Sequence, residues 1–431
     1  MPKRLSNTDA DFETAFDSLL TASREEKSDV DGVVSGIIAD VKARGDEAVL
    51  EYTAKFDRLD VLAGGLAISP DEIAEAKSAC DPGLLEIMQV AAARIRSYHE
   101  RQMPADLRYD ASEGVSLGYR WTAMKAAGLY VPGGTAALFS SVLMNAVPAR
   151  VAGVERLVVT LPTPDGKTTS SMLAACSIAG VDEVYRVGGA QAIAALAYGT
   201  NTIEPVDVIV GPGNAYVASA KKQVFGDVGI DMVAGPSEVT VVADGQNDPA
   251  WIAADLLAQA EHDTSSQSIL ITDDSSFGDR VAESVELQVK SLGRADIAQA
   301  SWEVHGAIIV IQSMEDAPAL VDRIAPEHLE LAVKDPEALS EKIRNAGAIF
   351  LGRYTPEAIG DYIAGPSHVL PTSGTARFSS GLSVIDFLKR TSLIGCTADG
   401  LRSIGKGAAA MAEAEDLVAH ARSVSIRLNL E

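Results

Sequence analysis

From Gly128 to Phe225 the chain repeats one device: a short apolar run, a glycine-containing joint, and an apolar stretch with helical spacing. "GLYV" runs into "PGG", "EVYRV" into "GG", and "VDVIVG" into "PGN", with the strand-like "RLVVTLP" and the helix-like "SSMLAACSIAG" between them. Strands alternating with helices at this spacing specify a parallel, wound α/β sheet. Each helix must cross back over the sheet before the next strand can pair, and that crossover is right-handed by default. The alternation resumes after "AGPSEVTVVAD": "DPAWIAADLLAQAEHD" reads as a helix with Asp248 as N-cap before Pro249, "QSILITDD" as a strand, "FGDRVAESVELQVKSL" as a helix, and "GAIIVIQS" and "GAIFLG" as two more strands with helices between them. The expected class is therefore α/β, with two parallel-sheet domains. Residues 1–115 read as mostly helical and charged, and the last fifty residues as a short helix, a loop and a C-terminal helix. That tail has too little apolar sequence for a core of its own and is expected to pack on another domain or another chain.

The bulk numbers agree with a sizeable soluble protein. The chain has 431 residues, which favours two or three domains, and 47% of them are apolar. Its charge balance, 36 basic minus 60 acidic residues, gives −24, so most of its surface repels nucleic acid and anionic membrane. An anionic cofactor is still possible where a loop or helix N-terminus cradles phosphate. Cys80, Cys176 and Cys396 form no CxxC pair, which argues against a disulfide framework and fits a reducing cytoplasm; Cys176 reads as a small core residue. No apolar h-region opens the chain, and no apolar run is long enough to span a membrane.

The three joints, Gly133-Gly134, Gly188-Gly189 and Gly211 with Gly213, let backbone approach a ligand at the carboxyl ends of strands. None completes GxGxxG: in "GPGNAY" Tyr216 stands where the third glycine would be. Candidate chemistry is sparser. Gln259 and His262 are three apart on a helix and can point at one spot. Glu327 and His328 follow Pro326, which biases Ala325 away from helix and marks a break. Asp361 and His368 share "EAIGDYIAGPSHVLP", and His420 lies on the C-terminal helix five residues after Glu415. His99 and His305 read as surface or capping residues. HExxH and paired CxxC are absent, so spacing alone leaves open whether these residues hold a metal or are solvated; a His/Gln/Asp set suits zinc, with manganese or cobalt as alternatives.

Taken together, "GLYVPGGTAALFSSVLMNAVPARVAGV", "RVGGAQAIAALAYGT", "VGPGNAYVASAKKQVFG", "GIDMVAGPSEV", "LLAQAEHD", "RIAPEHLEL", "GDYIAGPSHVLPTSGTARFSSGLSV" and "AEDLVAHARSVSIRL" resemble the histidinol dehydrogenase family, from about Asp29 to the C-terminus. The resemblance implies oxidation of L-histidinol to L-histidine through histidinaldehyde, with two NAD⁺ and one zinc ion per subunit, in a homodimer with shared active sites. It assigns the metal to Gln259, His262, Asp361 and His420, the last from the partner subunit in the family. His328 becomes the general base and Glu327 the group that activates water for the aldehyde step. Ser237, His368 and Glu415 match further substrate positions, and Tyr130, Gln191 and Asn214 match NAD positions beside the glycine joints.

The implied fold has two incomplete Rossmann-like domains with parallel sheets: a first α/β domain from residues 29–129 and 239–380, and an inserted one from 130–238. An N-terminal helical arm, 1–28, and a C-terminal helical tail, 381–431, are exchanged in the dimer. Three other readings compete. A related zinc- and NAD-dependent dehydrogenase of another small polar alcohol should alter Glu327, His328, Glu415 or His420. A zinc hydrolase would not need the glycine joints. A binding protein without activity would not keep every reactive position.

Overall fold

The computed structural model describes residues 2–22, 30–62, 65–112, 114–132 and 138–429; the Gly133-Gly134 joint lies outside them. Its strands, in chain order, are β1 (Lys3–Ser6), β2 (Leu107–Ser112), β3 (Val115–Ala123), β4 (Ala126–Tyr130), β5 (Arg156–Thr160), β6 (Glu183–Tyr185), β7 (Val208–Val210), β8 (Gly229–Ile230), β9 (Glu238–Ala243), β10 (Gln267–Thr272), β11 (Ala307–Val310), β12 (His328–Ala332), β13 (Ala348–Leu351) and β14 (Leu388–Cys396).

Two sheets are wholly parallel. One has the order β6-β5-β4-β7-β8 and the other β1-β11-β10-β9-β12-β13. Counted from β4, and from β9 with the added edge strand β1 set aside, both read third-second-first-fourth-fifth, the doubly wound order that reverses beside that starting strand. The five-stranded sheet and its helices bury Val158, Ile193, Leu196, Ile209 and Val217, and the helices Val30–Arg44 and Asp46–Asp57 add Val34, Ile37, Val41 and Val49 to that core. The six-stranded sheet is covered on both faces. Ile269, Ile309, Leu329 and Leu331 meet Phe12, Phe16 and Val321 on one side. Val239, Val241, Leu270 and Ile308 meet Leu256, Phe277, Val281 and Trp302 on the other. Burial on both faces explains why these strands read as apolar runs rather than alternating ones. Asp248 caps the helix Pro249–Ala260 by accepting from the Ala250 N–H, as the sequence predicts.

By contact density the chain divides into residues 1–101 with 125–387, and residues 102–124 with 388–431. The larger unit contains both parallel sheets. The smaller holds an antiparallel sheet, β14-β3-β2, and the helices Ala398–Ala414 and Val418–Ser425.

Several segments differ from expectation. Residues 1–28, read as a helical arm, include β1, which pairs with β11 from Lys3↔Ala307 to Ser6↔Val310 before the helix Phe12–Ala22. Four residues with two charges carry no periodicity; the edge of β11 makes them a strand. The tail 381–431 contains β14 as well as helices. "LKRTSLIGC" is mostly exposed and mixes charge with apolar residues, so only pairing with β3, Leu388↔Ala123 to Cys396↔Val115, defines it. With that pairing, residues 102–124 belong to the smaller unit rather than to the first α/β domain. His99 is fully buried, its ring edge-on to Tyr98, rather than a surface residue. His305 is the last residue of the helix Ala295–His305. Cys176 is buried, as expected for a core residue.

Candidate active site

The helix Ala317–Ile324 stops at Ala325, which adopts a left-handed conformation (φ 49°, ψ 59°). For a residue with a Cβ that is strained, by about 1–2 kcal/mol, and such strain clusters where function over-determines the backbone. Pro326 then directs Glu327 and His328 into the start of β12, a central strand that the sequence reading took only as a break. Both side chains are buried, at 5% and 4% exposure.

The neighbouring strand β9 fixes them. The Glu238 N–H donates to Glu327 Oε2 at 2.9 Å, and the Glu238 carbonyl lies 3.3 Å from His328 Nδ1. One residue's peptide groups thus hold both side chains. A carbonyl partner puts the proton of a neutral ring on Nδ1 and leaves Nε2 as the basic nitrogen. Nε2 is buried without a hydrogen bond and faces Asp361 Oδ1 at 3.5 Å.

Carboxylates surround this imidazole. Glu327 Oε2 and Glu357 Oε1 lie 3.7 and 3.8 Å from Nδ1. Burial opposes charge on His328, but Glu357, Glu327 and Asp361 outweigh it and hold its pKa well above the ordinary imidazole value. Burial pushes Glu327 up to about 7, against the pull of His328. Glu238 is pushed up to about 8 by burial and by Glu327. Glu357, also raised to about 8 chiefly by burial, was missed by sequence reasoning; its spacing of four from Asp361 is the signal that could have found it. Its N–H donates to Glu330 Oε1 at 2.6 Å.

Asp361 sits on a wide helical turn, Gly360–Ala364, of the kind found at functional sites. Its carbonyl meets His368 Nδ1 at 3.0 Å, and His368 Nε2 meets Ser141 Oγ at 3.2 Å. Asp361 and His368 line a cleft of ≈ 170 Å³ with Phe350 and Pro366. Ser237 immediately precedes β9, and its side chain bonds the Glu327 carboxylate. His262 lies beyond the end of the helix Pro249–Ala260. Desolvation holds its pKa below the ordinary imidazole value against the opposing pull of Asp361, so the two groups feel one another.

Gln259 supplies the sharpest test of a metal. It is 1% exposed, and neither Oε1 nor Nε2 has a partner. A buried amide left wholly unsatisfied is costly unless a ligand meets it. The Gln259, His262 and Asp361 donors, nitrogen and oxygen, fit zinc. Among the described residues, His328, Glu357 and Asp361 also bring potential ligand atoms within 4.8 Å of one another. Glu415 and His420 are exposed residues of the smaller unit, at a helix C-cap and on the helix Val418–Ser425.

The NAD candidates lie at the carboxyl edge of the five-stranded sheet. Tyr130 ends β4, and its hydroxyl accepts from the Gly189 N–H at 3.1 Å. Gln191 follows in the first turn of the helix Gly189–Tyr198, buried and with Oε1 unpartnered. Asn214 caps the helix Ala215–Val224 by accepting from the Tyr216 and Val217 N–H groups at 3.1 and 3.2 Å. Gly211 lies between β7 and β4 with φ +107°, and a Cβ there would stand 2.2 Å from the Tyr130 carbonyl oxygen. Tyr130 and the Gly211–Asn214 loop, which end or follow β4 and β7, thus border the crevice where strand order reverses.

Comparison with known proteins agrees with this geometry. The family model for histidinol dehydrogenase matches residues 20–428. The histidinol dehydrogenase of Rhodospirillum rubrum is 63% identical over 430 residues, covering 100% of this chain and 99% of that protein. That of Ruegeria pomeroyi is 60% identical over 429 residues, with 100% and 99% covered. The crystal structure of the histidinol dehydrogenase from Elizabethkingia anophelis superposes with a TM-score of 0.93 at 37% identity, covering 99% of this chain and 98% of that one.

Proposed function

The chain belongs to the histidinol dehydrogenase family, and on that premise we propose that it oxidises L-histidinol to L-histidine by two successive hydride transfers to NAD⁺, with Glu327 and His328 as the catalytic pair. The observation that carries this assignment is the double grip of Glu238 on that pair, beside the unsatisfied amide of Gln259.

In the first oxidation His328 Nε2 takes the carbinol O–H proton as hydride leaves the carbon for NAD⁺. Glu327, with a carboxyl poised at about 7, then takes a proton from the water that adds to histidinaldehyde. The hydrate loses its O–H proton to His328 and a second hydride to a second NAD⁺, and becomes the carboxylate. Ser237 and His368 contact the substrate, and Glu415 matches a substrate position of the family and suits a cationic amine. Gln259, His262, Asp361 and His420 of the partner subunit would hold zinc. Held there, zinc would supply an attachment point for the substrate's amine and imidazole and would offset the surrounding carboxylates, favouring a neutral, basic His328. Tyr130, Gln191 and Asn214 receive NAD at the sheet crevice.

A homodimer is part of this reading. Ile394, Met411 and Val418 of the smaller unit are 78%, 70% and 73% exposed in the single chain, apolar side chains that a second copy would cover. No helix among the described residues is long and apolar enough to cross a membrane. A cytoplasmic location belongs to the same reading, as that of a biosynthetic dehydrogenase. The test is to mix protein, zinc, NAD⁺ and L-histidinol and follow NADH. Two NADH per histidine, lost on chelation, is the expected result. No NADH overturns the reading, and one NADH with released aldehyde overturns its four-electron form.

A further inference from the structure

The loop Gly211–Asn214 is held from below by an ion pair that none of these roles uses. Lys221, on the helix Ala215–Val224, pairs with Asp231, which follows β8; their side chains are 2% and 1% exposed. Among the described residues it is the one lysine or arginine pair so deeply buried on both sides. Its hydrogen bonds converge on a single residue. Lys221 Nζ donates to the Gly211 carbonyl at 2.8 Å, and Asp231 Oδ2 accepts from the Gly211 N–H at 2.9 Å. Asp231 Oδ1 also accepts from the Met232 N–H at 2.6 Å, where the chain sets out toward Ser237 and β9.

Burying two charges is expensive, and apolar residues of similar volume often replace such a pair without loss of stability. What such a pair positions can therefore matter more than the stability it adds, and its contacts show what it positions. Gly211 occupies a left-handed conformation that brings its own peptide against Tyr130, and the adjoining Gly213 has no room for a side chain, because a Cβ would stand 2.4 Å from Val217. Such a loop follows a steep path with glycine freedom at two of its four residues. Pinning both the N–H and the C=O of Gly211 fixes the path, and with it the direction in which Asn214 and the helix N-terminus face the crevice.

We propose that Lys221 and Asp231 are positioning residues for NAD: their ion pair clamps Gly211 and so holds the cofactor loop in its receiving geometry. This rests on the reading of Gly211–Asn214 as part of the NAD site. The decisive variant is the double replacement Lys221→Met/Asp231→Leu, which removes the clamp without leaving an unpaired buried charge. Expected are a melting temperature close to wild type, normal zinc content, an unchanged KM for L-histidinol, and a KM for NAD⁺ raised by about tenfold. The single variant Lys221→Met should raise the same KM and also lower the melting temperature. A folded double variant with wild-type KM for NAD⁺ overturns the proposal. Equal rises in both KM values also overturn it, since they would reflect general loosening. Asn214→Ala separates the two levels. If it raises the KM for NAD⁺ and the double variant does not, the clamp alone fails; if neither does, the loop is not the NAD site and the clamp falls with it.

Discussion

The two parallel sheets share a strand order but are used at opposite edges. In the five-stranded sheet the candidate ligand groups gather at the carboxyl ends of β4 and β7, where doubly wound sheets usually bind. In the six-stranded sheet Glu238, Glu327 and His328 gather at the amino ends of β9 and β12. The difference follows from what each site offers. The carboxyl edge presents helix starts and glycine-containing turns, where backbone can approach phosphates and ribose. The amino edge instead receives helix ends and the loops entering the strands, so it collects side chains such as Gln259, His262 and Asp361. The candidate binding groups and the candidate catalytic groups thus divide between two copies of one topology.

The largest effects should come from the amino edge. His328→Asn should lower kcat for the first oxidation by about 10³-fold, while Glu327→Gln should slow mainly the aldehyde step, by about 10²-fold. Stopped-flow measurements with L-histidinol and with histidinaldehyde distinguish the two; wild-type aldehyde oxidation by Glu327→Gln would remove its assigned role. At the carboxyl edge the effect should be on cofactor binding. Gly211→Ala adds a Cβ against the Tyr130 carbonyl at φ +107° and should destabilise the fold by about 1–3 kcal/mol. A calorimetric melt and the KM for NAD⁺ should both report it, and a variant neutral in both would mean that the edge relaxes easily.

The smallest effect concerns pH. Glu238 has its pKa raised from 4.5 to about 8 by burial and by Glu327, so the fold favours its neutral form. That contribution is fully present below the unfolded value and is lost as pH rises through the folded one. The zinc-free melting temperature should therefore fall between about pH 5 and pH 8, and Glu238→Gln should flatten part of the fall, because Glu327 and Glu357 remain. Parallel curves for the two proteins would contradict this.

Much of the architecture was legible because it depends on local pattern. The runs at Val208–Val210, Gln267–Thr272 and Ala307–Val310 are apolar enough to be buried on both faces, and glycine or proline marks many of their boundaries. β1, β12 and β14 were not legible, because each is short or mixed in polarity and becomes a strand only through its neighbour. The resemblance supplied the site residues, yet Glu238 and Glu357 stayed hidden. One acts through its peptide groups, and the other lies in a segment whose burial no local pattern reveals.

By itself the sequence determined the α/β class, the glycine joints and the residues of the matched motifs, since periodicity, backbone freedom and motif identity are carried by neighbours along the chain. Only the tertiary structure decided which strand faces which. That pairing sets Glu238 against Glu327 and His328, and Lys221 and Asp231 beneath Gly211. These contacts span ten to ninety residues of chain, and only packing can bring groups so separated within hydrogen-bond reach.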